Sequence, residues 1–348
     1  MVTQPQTPQA QRAERIYSVA TDVSGFDSVR EAGQSIGMWD MQPEREQVSD
    51  VHSKTYTINV NDPETGHRGP LPDIFVGPDH RVVSHDEAML DWLDALVSEG
   101  VQPLSMALQY SGGVATFIGR MPERMSQLAN IDPHYGKIVL RNSINGMTKL
   151  GYKFSTVRYL CENLHYYVND ANTGQVAFKH TAKIKHRMSE IVGSQMSEYG
   201  LWADQFETDM MTLVETKFSI AQVRELTLEI NGHPGDTFKD MALRPQTRLN
   251  NEIDKIVGIF EGKGTAGDTS GNIGGTALAA YNAITEARDW YRDGSVATGD
   301  SESMAKFRQT QKDRTLDALG ISGPGLHSVN DTWKDKAYKA TMDFVSRV

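Results

Sequence analysis

Gly136-Lys-Ile-Val-Leu-Arg141-Asn-Ser-Ile-Asn145-Gly146-Met-Thr-Lys149-Leu-Gly-Tyr152-Lys153-Phe154 reads as two β-strands joined by a tight turn. Ile138, Val139 and Leu140 lie in the first strand, Gly136–Asn142. Ile144-Asn145-Gly146 supplies the turn, because Asn and Gly accept positive φ. Met147–Phe154 then returns antiparallel, with Lys149 and Lys153 on one face by parity. Just upstream, Ser105–Tyr110 and Val114–Arg120 flank Ser111-Gly112-Gly113, which predicts a second hairpin. Two successive hairpins make the central chain an antiparallel sheet.

Helices surround it. Ser84 and Glu87 have the spacing of a capping box, and Met89, Leu90, Leu93, Leu96 and Val97 form an apolar stripe that ends at Gly100. Downstream of the sheet, Val157, Leu160, Cys161, Leu164 and Val168 share one helical face, which predicts a helix from Thr156 to Val168. A short strand is expected at Gln175–His180, then helices over Ala182–Glu198 and on through Val214. Further helices are expected at Thr247–Phe260, Thr276–Arg292, Ser301–Leu319 and Asp331–Val345. Toward the N-terminus a short helix is expected within Ile16–Ala32, a strand at Lys54–Val60 and a loop at Asn61–Pro70. The fold class is therefore α+β: antiparallel hairpins with packed helices in the N-terminal and central part, and a mostly α-helical C-terminal part. The expected division is a disordered tail at 1–15, an α+β domain at 16–215 with a central unit at 141–190, and a helical region at 216–348 packing on it.

Composition narrows the class. Of 348 residues, 39% are hydrophobic and 23% charged, which suits a folded soluble chain. With one cysteine, Cys161, no disulfide can form within the chain, and a reducing compartment, the host cell cytoplasm, is expected. The first fifteen residues have no apolar core of a secretory signal, and no apolar run is long enough for a membrane span.

Most catalytic signatures fail on spacing. Gly258-Ile-Phe-Glu-Gly-Lys263-Gly-Thr265 has the wrong loop length for a phosphate-binding loop and a Gly after the Lys. Cys161 and His165 are four apart on the predicted helix, but His180 and His186 sit among lysines that repel a cation. No nucleophile elbow or zinc-protease helix is present. No catalytic residue, metal ligand or cofactor is assigned.

The charge distribution is more informative. The whole chain is acidic at −10, yet residues 141–190 hold 8 basic and 3 acidic side chains. Arg141, Lys149, Lys153, Arg158, Lys179, Lys183, Lys185 and Arg187 are interleaved there with Tyr152, Tyr159 and Tyr166. Single-strand binders need this combination, because cations follow phosphates and aromatic faces stack on unpaired bases. A sheet crossed by a helix, with a basic groove between, is also the layout of single-strand annealing proteins. The expected partner is single-stranded DNA, bound through these eleven residues without bond-making chemistry, by a homo-oligomer that uses no membrane. The alternatives are a protein-binding or virion-associated module of a mobile element, and an enzyme built on Cys161, Asn163, His165 and His180.

Three motifs carry a family resemblance. Thr156-Val-Arg158-Tyr-Leu-Cys161-Glu-Asn163 with Lys179-His180-Thr181 downstream, Pro72–Ala88 through Gly113 to Ile118-Gly-Arg-Met-Pro122, and Thr276–Glu286 with Tyr281-Asn282 stand in the order found in domain-of-unknown-function family 932. The chain resembles that family over roughly residues 30–320. The resemblance implies a phage or plasmid-like setting and marks Thr156, Cys161, Asn163, His180, Thr181, Asn282 and Glu286 as motif residues. The chain departs from the pattern at Asn142-Ser-Ile-Asn-Gly-Met147, where the family often has a His-Asp pair, in lacking a proline before Val157, and in Lys179, which replaces an arginine. The family is defined without an assigned activity.

Overall fold

The computed structural model describes residues 20–41, 43–47, 56–61, 68–70, 76, 82–109, 112–144, 150–158, 164–165, 175–178, 184–263, 270–290 and 329–348. The chain is α+β. Its centre is an antiparallel meander of four strands, β5 (Gln102–Gln109), β6 (Val114–Arg120), β7 (His134–Ser143) and β8 (Leu150–Arg158). The two-residue strand β1 (Thr21–Asp22) extends one edge by pairing with β5. At the other edge β8 pairs with β9 (Leu164–His165) and with β10 (Gln175–Phe178). A separate three-stranded sheet is formed by β2 (Glu44–Gln47), β3 (Tyr56–Asn61) and β4 (Arg68–Pro70).

The described helices are α1 (Val29–Ser35), α2 (His85–Ser98), the short α3 (Ser126–Ala129), α4 (Ile184–Glu215), α5 (Ile220–Ile230), α6 (Leu243–Phe260), α7 (Ala277–Trp290) and α8 (Val329–Val345). One hydrophobic cluster runs from Val23 to Phe344 and joins the helical C-terminal region to the sheet.

Alternation along the strands explains which face meets the helices. Met106, Ala115, Phe117, Ile138, Leu140, Leu150, Tyr152 and Phe154 point to one side and belong to that cluster. Onto them α2 lays Trp92, whose ring meets Tyr152 edge-on at 5.6 Å. The long helix α4 adds Tyr199, Trp202 and Phe206. Phe154 lies 5.5 Å from Tyr199 and 6.2 Å from Trp202, and Trp202 stacks on Phe206 at 5.7 Å. Such pairs add about 0.5–1.5 kcal/mol each beyond the area they bury. Gly136 makes room for this layer, since a Cβ there would stand 2.1 Å from the Tyr199 hydroxyl.

Several expectations are corrected. Thr156, Val157 and Arg158 finish strand β8 rather than start a helix, and β9 at Leu164–His165 places strand where the helix was to continue. The Thr-Val pair is β-branched and extends the alternation of the preceding strand, and pairing with β7 outweighs the helical spacing. His165 therefore lies in a strand and not on the predicted helix, and Cys161 lies outside the described residues. The helices expected at 182–198 and through 214 are one, α4. The N-terminal helix begins at Val29, capped by Ser28, whose Oγ accepts from the Glu31 amide. At α2 the Ser84 hydroxyl donates to Asp86 instead of capping the helix, so the expected box does not form. A true capping box instead starts α5, between Ser219 and Gln222. Arg68–Pro70, expected within a loop, pairs as β4. The tail at 1–15 and the helix at 301–319 lie outside the described residues.

Candidate nucleic-acid interface

The face of the meander turned away from α2 and α4 carries the charge. Directly opposed residues share a face. Three rows therefore cross β6, β7 and β8: Thr116, Arg141 and Gly151; Ile118, Val139 and Lys153; Arg120, Lys137 and Ser155. Ser105, Ala107 and Gln109 extend the face on β5, and Tyr135, Ser143 and Val157 complete it. Four cations and several hydroxyls stand on β5–β8 here with no carboxylate among them. The nearest carboxylate by register is Asp22, exposed on the edge strand β1.

Lys137, Arg141 and Lys153 are at most 2% exposed. Arg120 is half-buried, with its guanidinium 5.3 Å above the Tyr135 ring. Among the described residues, Thr116 Oγ1 and Ser155 Oγ are buried and have no hydrogen-bond partner. An unsatisfied buried hydroxyl costs about 1–3 kcal/mol.

The eleven residues expected to bind nucleic acid are thereby divided. Arg141 and Lys153 share the cationic face. Tyr152 and Arg158 lie on the opposite face, inside the core. Tyr152 donates to Glu198 of α4 at 2.9 Å and packs on Trp92 and Phe154. One step of parity separates Tyr152 from Lys153, and in a strand that step reverses the face. Lys149, Tyr159, Tyr166, Lys179 and Lys183 lie outside the described residues, as do the motif residues Cys161, Asn163, His180 and Thr181. Lys185 and Arg187 fall in the first turn of α4. Lys137, Arg120, Thr116 and Ser155 were not singled out in the sequence, although the spacing Lys137-x-Val-x-Arg141 shows two of the cations on one strand face.

On the core side, Arg158 helps tie the sheet to α7. Its Nε lies 2.8 Å from both carboxylate oxygens of Asp132, and Asn282 of α7 donates to Asp132 Oδ2 at 3.1 Å. Arg158 also donates from Nη2 to the Ser270 carbonyl at 3.4 Å. His134 lies against the Asp132 carbonyl at 2.7 Å, and burial lowers its pKa while the Asp132 charge opposes that shift. Thr156 and Glu286 are buried as well. Two separate motifs, one containing Arg158 and the other Asn282, thus meet on one carboxylate.

Residues 75–319 match the family described as Domain of unknown function (DUF932). The chain belongs to the DUF932 family. The match spans the whole meander, α4 and α7, so both the cationic face and the Asp132 cluster are within the DUF932 region. No curated protein and no solved structure matches the chain. Among the described residues, no helix of this DUF932 chain is long and apolar enough to cross a membrane.

A third polar cluster fixes the far end of the sheet. His85 of α2 donates from Nε2 to the Gly112 carbonyl at 2.8 Å, and its Nδ1 accepts from Asn142 at 2.9 Å. This tautomer follows from the two partners, since a carbonyl only accepts and the amide Nδ2 only donates. Burial pushes His85 down to about 4, against the raising effects of the Gly112 bond and Asp86.

Proposed function

We propose that this DUF932 chain binds single-stranded DNA through the carboxylate-free face of its meander and serves annealing or recombination on a phage or plasmid-like element. The supporting observation is the placing of Arg120, Lys137, Arg141 and Lys153 on one face of three adjacent strands, with buried hydroxyls between them. Cations supply the phosphate attraction that dominates single-strand binding. The role needs no bond-making group, and the working form is a homo-oligomer in the host cytoplasm. Tyr152 and Arg158 are left out of the interface because each is engaged on the core side. Burial of the three central cations adds a condition: a strand reaches them only when that face becomes exposed, so binding is coupled to a conformational change.

Fluorescence anisotropy of a labelled oligothymidylate, titrated at several salt concentrations, tests this. The expected result is binding that weakens linearly on a log–log plot against salt. Absence of binding at low salt overturns it and favours the protein-binding module.

A further inference from the structure

The hydrogen bonds around His85 conflict once its ring is charged. Nε2 donates to the Gly112 carbonyl at 2.8 Å, and Asn142 Nδ2 donates to Nδ1 at 2.9 Å. The carbonyls of Val83 and Ser84 lie 3.4 and 3.5 Å from the same Nδ2, so three acceptors face the amino end of this amide. Its oxygen has none of that company: among the described residues, Asn142 Oδ1 is buried without a hydrogen-bond partner. A neutral imidazole accepts at Nδ1, whereas in the imidazolium both nitrogens donate. Protonation therefore sets two N–H groups against each other, while an unused acceptor stands on the same side chain one rotation away. Among the described residues the charge acting on the ring is that of Asp86, next along α2, which favours the proton in either position of the amide. The packed elements bring Gly112 of the β5–β6 turn with Met41 against it, Asn142 of β7, and Ala115 opposite Asn142 on β6, and none of these titrates. Arg141 and Ser143 flank Asn142 in the strand and so point to the other face.

We propose that Asn142 is a proton-operated switch: its amide donates to neutral His85 and turns over when Nδ1 is protonated, so that Oδ1 accepts from the imidazolium. The Gly112 bond is kept throughout, because Nε2 carries a hydrogen in both states. Turning over withdraws Nδ2 from the Val83 and Ser84 carbonyls. The Ser84 carbonyl keeps the Ala88 amide of α2 at 3.1 Å, but the tie from β7 to Val83 is lost. Val82, next in the chain, packs on the cluster of Ile58, Val76 and Ile144, so acid loosens the seat of the three-stranded sheet at this end. Burial holds His85 at about 4, so the donating position is the one occupied at neutral pH and turnover belongs to the acid limb.

Nitrogen-15 spectra of the imidazole and of the side-chain amides, recorded on the full chain from neutral pH down to the onset of acid unfolding, test the switch. The expected result is a neutral ring protonated at Nε2, and Asn142 amide signals that move with the same midpoint as the ring. Substitution gives opposite signs for a turning and a fixed amide. A hydrogen bond to a charged group is roughly twice as strong as a neutral one, so a turning amide favours the charged ring. Asn142→Ala should then lower the His85 midpoint by roughly half to one pH unit, a roughly three- to tenfold loss of proton affinity. A fixed amide opposes the charged ring, and the same substitution would raise the midpoint. Asn142→Ser, whose hydroxyl donates or accepts by rotation, should stay near the parent value. If Asn142→Ala does not fold by circular dichroism, the serine variant and the parent spectra carry the test. A raised midpoint in either variant, an unchanged one in Asn142→Ala, or Asn142 amide signals that stay still while the ring titrates, would overturn the switch.

Discussion

Arg158 and Asp132 form a buried ion pair in which one guanidinium Nε sits 2.8 Å from both carboxylate oxygens, and Asn282 completes the carboxylate's coordination from a helix 150 residues away in the chain. Both charged side chains are 1% exposed. The pair closes β8 onto the turn before β7, and the amide brings α7 to the same point. Removing one partner leaves the other charged and dehydrated. Asp132→Asn should therefore lower stability by about 3–5 kcal/mol in urea unfolding. The double variant Asp132→Asn, Arg158→Met should recover part of that loss. A single variant as stable as the parent would show that water compensates Arg158.

Gly136 is required by a neighbour and not by its own backbone. A Cβ at this position would meet the Tyr199 ring at 2.7 Å as well as its hydroxyl. The ring is held by Phe154, Trp202 and a hydrogen bond from its hydroxyl to the Pro122 carbonyl at 3.1 Å. Gly136→Ala should cost about 1–3 kcal/mol as overpacking. Pairing it with Tyr199→Leu should relieve most of that cost, as measured by the urea midpoints of the single and double variants.

His85 makes stability depend on pH. Its pKa is 6.5 unfolded and about 4 in the folded chain. Between those values the unfolded chain binds the extra proton, so the contribution is complete above about pH 6.5 and is lost as pH falls through about 4. Its full size is roughly 3 kcal/mol at about 1.4 kcal/mol per unit. His134 shifts in the same direction and steepens the same limb. Urea midpoints measured from pH 7.5 down to 4 should fall, and His85→Gln should flatten the curve. An equal pH slope in that variant would remove His85 as the cause.

Tyr152 separates core packing from strand binding. Its hydroxyl donates to Glu198 and its ring faces Trp92. Tyr152→Phe should lose about 0.5–1.5 kcal/mol of stability. Oligonucleotide affinity should be unchanged, because the side chain is on the helix-covered face. A drop in affinity with unchanged stability would return Tyr152 to the interface.

Much of the fold was legible because its signals are local. The Ser111-Gly112-Gly113 and Asn145-Gly146 turns, with alternating residues on either side, predict the hairpins, and β5–β8 follow them. Leu249, Ile253, Ile256 and Phe260 mark α6, and Gly100, at φ 92°, ends α2 where its freedom at positive φ is needed. The helix expected from Thr156 misled for a physical reason: at Thr156–Arg158 helical spacing and strand alternation coexist, and pairing with a neighbouring strand, which no local pattern reports, selects between them. The capping box at Ser84 failed similarly, because Asp86 competes for the same hydroxyl.

The candidate site shows the same boundary. By itself the sequence determined that residues 141–190 are rich in cations and aromatics, that Lys153 and Arg141 lie in strands, and that three family motifs are present in order. Only the tertiary structure decided that Tyr152 and Arg158 turn inward while Arg141, Lys153 and Lys137 share the other face. It also decided that Thr116 joins them from a strand 25 residues before Arg141, and that Asp132, Arg158 and Asn282 converge. Composition and turn chemistry are properties of neighbours in the chain. Face, register and convergence are set by strands and helices meeting across long separations, where the free energy of packing is gained.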